Sequence, residues 1–439
     1  MSRFNFSRER GAMLIHVAVA MLGLLAFSAL VIDYGVFWLA RRQAQNSADA
    51  GALAGAMGLA YDDPKDFSDT GPAKLAAQSA ALANKVFGVA PSVDITTDVT
   101  FPPCPDDNAD TCVKVDVYRN VARNNPLPSF FARLVGITTQ DMKATATAKV
   151  LTGNATQCMR PFAVMDKWDE YDLATNAGYT PEYEYDRGEI DKDWNPLTST
   201  FDNYDDKGED YATKDKYVAN SCDDADPPNC IVGTGFRLFD DANPAQPVDY
   251  GREIQIKTGS QDQTSAGWFM PVKLQDSDSG AKDYCNNIKQ CSGVTNIIGE
   301  TIETETGNMV GPTEQCLWTD ADSLYNQDPT AKWDNQKGGI VSQDYPSLNT
   351  SPRIIPLPIV SPEVFFSSNP TGNSPVVVQN IFGFFIEGTM DKNGTRIYGP
   401  GQGGQAITFG RIVTVPGFSA GGNVVDPSSS FIKQIVLIR

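Results

Sequence analysis

The sequence predicts an α+β chain: a long N-terminal transmembrane helix, a small α+β module and a mainly antiparallel, β-rich exported domain. Three observations predict it. Residues 12–32 form an unbroken apolar run. Between 71 and 151 the pattern passes from helical spacing to period-two alternation. Beyond 152, short β-branched and aromatic runs recur between clusters of Gly, Pro, Ser and Asn. With 439 residues the chain is long enough for two or three domains, and the expected divisions are 1–60, 61–152 and 153–439.

The apolar run reads AMLIHVAVAMLGLLAFSALVI, 21 residues without formal charge when His16 is neutral. A helix of that length rises about 30 Å, the thickness of a bilayer core. A cleaved signal peptide would carry a shorter core of about 7–15 residues, so a retained single-pass anchor is expected. Tyr34, Phe37 and Trp38 follow the run, and such rings favour the headgroup layer. Arg3, Arg8 and Arg10 favour a cytoplasmic N-terminus, although Arg41 and Arg42 stand on the other flank. The expected location is therefore the inner membrane, with the body periplasmic or at the cell surface. His16 is expected to face a protein neighbour as a neutral side chain.

No proline interrupts residues 33–60, so the helix is expected to continue until Pro64 breaks it. Ala44, Ala48, Gly51 and Gly55 follow the i, i+4, i+7, i+11 spacing of one helical face. Small residues on a face let a second helix approach closely. That face is expected to meet a helix of another protein; the alternative is the chain's own α+β segment.

In the module, residues 72–87 predict a helix that starts at a proline and closes at Gly88. Residues 93–101 and 112–121 alternate as strands of a hairpin, and 142–151 as a third strand. Between them, 128–135 predicts a short amphipathic helix closed by Gly136. In the body, strands are expected at 252–257, 354–360, 375–386, 406–414 and 432–438.

All eight cysteines follow the anchor. An even number in an exported body indicates disulfides. Local spacing pairs Cys104 with Cys112, Cys222 with Cys230, and Cys285 with Cys291. Elimination leaves Cys158 with Cys316. Each short loop would stabilise by about 2–3 kcal/mol and the long one by about 5 kcal/mol in the chain-entropy account. There is no Cys-x-x-Cys pair, and His16 is the only histidine, so zinc is not indicated.

The formal charge of −19 is unevenly spread: five arginines against Glu9 and Asp33 leave residues 1–42 at +3 and the remainder at −22. An acidic body repels phosphates, so no nucleic-acid partner is expected. Histidine-dependent hydrolysis needs a residue the body lacks. Neither a phosphate-binding loop nor a dinucleotide fingerprint occurs. Eleven carboxylates crowd residues 182–210, and Asp276 and Asp278 stand two apart before Gly280. These stretches fit solvated loops or a calcium site with Asp276 and Asp278 as its first ligands, without the distal Glu of a complete calcium loop. No other cofactor is expected.

Arg10-Gly11, Asp33-Tyr34-Gly35, the stretch 39–43, Gln45-Asn46 and the alanines at 48–54 carry a resemblance. They are similar to the N-terminal region of TadE/TadG-like Flp pilus-assembly proteins. Phe130-Phe131, Gly136 and the ATATA strand extend it. Pro161-Phe162-Ala163, Asp328-Pro329 with Trp333, and Ser351-Pro352-Arg353 add scattered points. The resemblance implies a non-enzymatic, membrane-anchored component of a tight-adherence pilus or related envelope machinery. Its partners would be the membrane and other pilus-assembly or pilin-like proteins. Pilin-like proteins carry Gly before the cleavage point and Glu at the fifth residue after it; here Gly11 is followed at that distance by His16, so processing is not implied. The Asp-x-Ser-x-Ser motif of type A adhesion domains is missing, so no metal-dependent adhesion carries over. Two other function classes remain: an envelope-bound binding protein or adhesin unrelated to pili, and a carboxylate-dependent periplasmic hydrolase.

Overall fold

Abundant alanine and leucine, with no internal proline, favour one long helix, and Glu9–Tyr61 form it as α1. The structure, a computed structural model, describes residues 9–62, 66–105, 112–166, 230–231, 235–238, 249–258, 268–274, 280–305, 309–345, 350–361, 374–390, 395–401, 407–421, 424–425 and 429–438. The chain divides into two units. The first comprises residues 1–56, 67–149 and 435–439; the second comprises 57–66 and 150–434. Anchor helix and α+β module, expected as separate domains, thus share one unit.

In the first unit, α2 (Pro72–Ala83) is shorter than the expected 72–87. Asn84 ends it, its N–H bonding Ala81 O and its side-chain amide donating to Ala80 O at 2.8 Å. The chain then turns at Phe87 and Gly88, both with positive φ. Of the strand expected at 93–101 only β1 (Val99–Thr100) forms. The Asp94 carboxylate accepts the Thr96 N–H at 2.8 Å, and the Asp98 N–H bonds Asp94 O, which winds 94–98 into a turn. Strand β2 (Cys112–Arg119) pairs antiparallel with β3 (Met142–Thr152), from Cys112 opposite Lys149 to Arg119 opposite Met142. The helix expected over 128–135 is a 3-10 turn at Ala132–Val135, closed by Gly136 at φ 89°.

Helix α1 buries Ala40, Ala44, Ala48, Ala52 and Ala56, each at most 1% exposed. It faces Ala73, Ala77 and Ala81 of α2 and Val113 and Val115 of β2. The fit is close: a Cβ at Gly51 would lie 3.0 Å from Ala81 Cβ and 3.1 Å from Val115 Cγ1, and one at Gly55 only 2.7 Å from Val113 Cγ1. Ser47 Oγ donates to Ala81 O at 2.8 Å in the same contact. The face of Ala44, Ala48, Gly51 and Gly55 is therefore filled by the chain's own α2 and β2. The expected docking of a foreign helix on it is corrected: small residues permit close approach by any backbone, and the nearest backbone is the chain's own.

In the second unit, β4 (Phe162–Met165), β5 (Glu253–Thr258), β6 (Trp268–Lys273), β7 (Thr301–Thr304), β8 (Ile354–Val360), β9 (Pro375–Met390) and β10 (Ile407–Val413) form one sheet. Its order β6-β4-β8-β9-β10-β5 closes on itself, because β5 also pairs with β6. Closure removes the exposed edges of an open sheet. Most pairs are antiparallel; β4–β8 and β5–β6 are parallel. Phe162, Phe236, Phe382, Phe384 and Phe431 lie in its core with Leu357 and Ile359. Strand β11 (Ile432–Ile438) begins beside Val415–Pro416 in this unit and ends in the first. The last turn of α1, from 57 on, also belongs here: Tyr61 donates to Lys433 O at 3.0 Å, and Thr414 Oγ1 donates to Ala60 O.

Three disulfides fall among the described residues. Cys104 bonds Cys112 across a Cα–Cα distance of 5.1 Å. Cys158 bonds Cys291 and Cys285 bonds Cys316, in place of the expected Cys285–Cys291 and Cys158–Cys316. The reason is α3 (Ala281–Lys289). Cys285 sits inside this helix and Cys291 just past its end, and six residues of helix separate two side chains by about 9 Å along the axis. Cys285 instead meets the turn at 315–319, and Cys291 the segment leading into β4. The Cys222–Cys230 pairing lies outside the described residues.

Gly55→Leu is expected to destabilise the first unit by the about 1–3 kcal/mol of an overpacked core or more, read as a lower urea midpoint. An unchanged midpoint would mean that α1 does not pack as described. Peptide mapping without reduction should return peptides joining Cys158 to Cys291 and Cys285 to Cys316; a Cys285–Cys291 peptide would overturn the pairing.

Candidate functional site

The chemistry at the C-terminal end of the apolar run comes from one carboxylate. Asp33, 8% exposed, follows Ile32 directly. Its Oδ1 accepts the Phe130 N–H at 2.9 Å, and its Oδ2 accepts the Phe131 N–H at 3.0 Å and the Ala132 N–H at 2.5 Å. Three N–H groups that open the turn at 132–135 would otherwise lack partners, and a carboxylate at that end satisfies them. Asp33-Tyr34-Gly35 and Phe130-Phe131, far apart in sequence, are thereby brought together. Tyr34, Trp38 and Arg42 line the same helix at four-residue spacing. Trp38 Nε1 donates to Tyr34 Oη at 2.7 Å, and the Arg42 guanidinium lies 5.6 Å from the Trp38 ring centre.

Along α1 the apolar run is open: Leu14, Leu22, Leu25, Phe27 and Leu30 are all more than half exposed. The helix is long and apolar enough to cross a membrane. Below Ala40 no comparable apolar face is covered among the described residues.

The second unit holds a cavity of about 360 Å³ lined by Tyr325, Trp333, Arg353, Glu387, Tyr398 and Arg411. Its floor is Arg353, 1% exposed. That guanidinium donates to the carbonyls of Asp328 at 3.1 Å, Ala331 at 2.9 Å, Ile386 at 2.9 Å and Glu387 at 3.0 Å. It lies 4.7 Å from the Tyr325 ring centre. Burial pushes its pKa down to about 10, so it stays charged at neutral pH. Asp328-Pro329, Trp333 and Ser351-Pro352-Arg353, scattered in the sequence, thus meet around one arginine. Arg411 lies between two carboxylates, with Nε 3.2 Å from Glu387 Oε2 and Nη2 3.5 Å from Glu253 Oε2. A carboxylate pair tied to one guanidinium does not present the separate acid and base that glycoside hydrolysis needs. Burial raises the Glu387 carboxyl above its usual range, against the attraction of Arg411.

Asp276 and Asp278 lie outside the described residues, as do the carboxylates of 182–210. The Asp33 clamp and the Arg353 floor were not anticipated from the sequence. A signal existed for the first: an acid placed immediately after a 21-residue apolar run.

Because the Glu387 pKa is raised in the fold, its contribution to stability is greatest below the ordinary carboxyl value and is lost as pH rises through the raised one. Glu387→Gln removes that titration. The variant's Tm is expected to fall less than the parent's between acidic and neutral pH; parallel curves would show that Glu387 does not titrate in this way.

No curated protein and no solved structure matches the chain. Residues 11–58 match the family model of Flp pilus-assembly TadE/G-like proteins, Tad, which covers the apolar run, Asp33 and the buried small-residue face of α1.

Proposed function

We propose that this chain is a membrane-anchored structural component of an Flp-type pilus assembly or related envelope machinery, with a non-catalytic role. The observation that carries the proposal is the division of α1. Its first half is apolar and exposed over the length of a bilayer core, while its second half is buried in a folded module. A helix core of a soluble domain would be covered along both halves. The similarity of residues 11–58 to the Flp pilus-assembly TadE/G-like family model supports this reading of the same helix. Three disulfides among the described residues support a body outside the cytoplasm, with the arginine-rich N-terminus inside and the inner membrane as the site of anchoring. Assembly partners would be other pilus-assembly or pilin-like proteins, met through surfaces other than the filled Gly51 and Gly55 face.

One observation favours a second reading, an envelope-bound binding protein: the aromatic-lined cavity above Arg353. Calcium binding by Asp276 and Asp278 stays a proposal of the acidic loops, tested by calorimetry with millimolar calcium.

In an Flp-piliated host, deletion of this chain is expected to abolish surface pili counted by electron microscopy, and the full chain should restore them. The protein should remain in the membrane pellet after alkaline carbonate. Normal piliation in the deletion strain would refute the assembly role, and release by carbonate would refute the anchor.

A further inference from the structure

We infer that residues 130–137 form a membrane foot, which lays Phe130, Phe131, Leu134 and Ile137 on the lipid at the level where α1 leaves the bilayer core. The inference rests on the transmembrane reading of α1 proposed above. These four large apolar side chains occur within eight residues and are 48%, 41%, 85% and 52% exposed. Apolar patches of this kind mark a contact surface.

Their height is set by Asp33. The apolar run ends at Ile32, and the foot's backbone is hydrogen-bonded to the very next side chain. The headgroup layer is about 5–7 Å deep on each side, which a helix crosses in about four residues. Asp33 to Trp38 fill that layer, and the foot fills it beside them. Phe, Leu and Ile with an adjacent cation are the chemistry of an interfacial segment, and Arg133 supplies the cation for lipid phosphate. Tyr34, Trp38 and Arg42 provide the matching belt on α1. Leu30 and Val31, exposed on α1, lie within one helical turn of Asp33, to which the foot is bonded, and lipid is the occupant that would cover both. A free carboxylate at this depth would be costly; three N–H donors make Asp33 tolerable there and fix the foot to the helix.

The test uses the full chain in phospholipid nanodiscs. Single cysteines carrying a spin label replace Leu134, Leu22 or Thr96 in turn, and collisions with oxygen and with a water-soluble nickel chelate are compared. Leu134→Cys and Leu22→Cys should favour oxygen, and Thr96→Cys, on an exposed turn, should favour nickel several-fold. A nickel preference at Leu134 with an oxygen preference at Leu22 overturns the foot and leaves the anchor standing. A nickel preference at Leu22 overturns the anchor and the foot with it. Shielding of Leu134 from both reagents means that protein covers the segment, and also overturns it. Asp33→Asn, whose amide nitrogen cannot accept, should shift the Leu134 label toward nickel; an unchanged ratio would show that Asp33 does not hold the foot.

Discussion

The close approach of α1 to α2 and β2 is the contact on which the first unit depends. An isolated helix of glycine and alanine has little apolar surface to bury, so its stability must come from many small contacts made at short range. Alanine at every fourth position from 40 to 56 and glycine at 51 and 55 bring backbones close enough for those contacts. Any larger side chain on this face would push the helices apart and lose the whole row. The same helix, a few turns earlier, is apolar, large in side chain and uncovered. One continuous element thus serves two solvents, protein on one half and, in the function proposed, lipid on the other.

Two buried charges, one in each unit, are handled alike. Asp33 is satisfied by backbone N–H groups and Arg353 by backbone carbonyls, rather than by a partner of opposite charge. Backbone groups in fixed turns need no side-chain ordering to form such bonds, and each bond to a charged group is stronger than a neutral one. The charge in turn fixes the turn that surrounds it. Asp33 ties residues 130–132 to α1, and Arg353 ties the 328–331 segment to β9. These are points at which one polar side chain determines the course of a loop.

The functional proposal follows from the first of these devices more than from the body. The family match covers the helix and stops at residue 58. The body contributes a closed sheet, disulfides and an aromatic-lined cavity whose Glu387 carboxylate is paired with Arg411.

Elements governed by local pattern were legible in the sequence. The apolar run, the strands at 354–360 and 432–438, the proline start of α2 and the even cysteine count each follow from residue chemistry within a short window. Strand 93–101 was not, because an Asx turn at Asp94 outcompetes alternation, and the helix at 128–135 was not, because its first residues pair as strand. Three matters were decided only in the tertiary structure. Disulfide partners depend on how far α3 separates Cys285 from Cys291 along its axis, closure of the sheet depends on a parallel pair between β5 and β6, and the occupant of the small-residue face depends on what packs nearest. Sequence by itself determined that this face would be approached closely, since glycine and alanine permit little else. Only the fold decided that the chain's own α2 and β2 would do so, because a tethered segment whose linker reaches the face meets it at a high effective concentration.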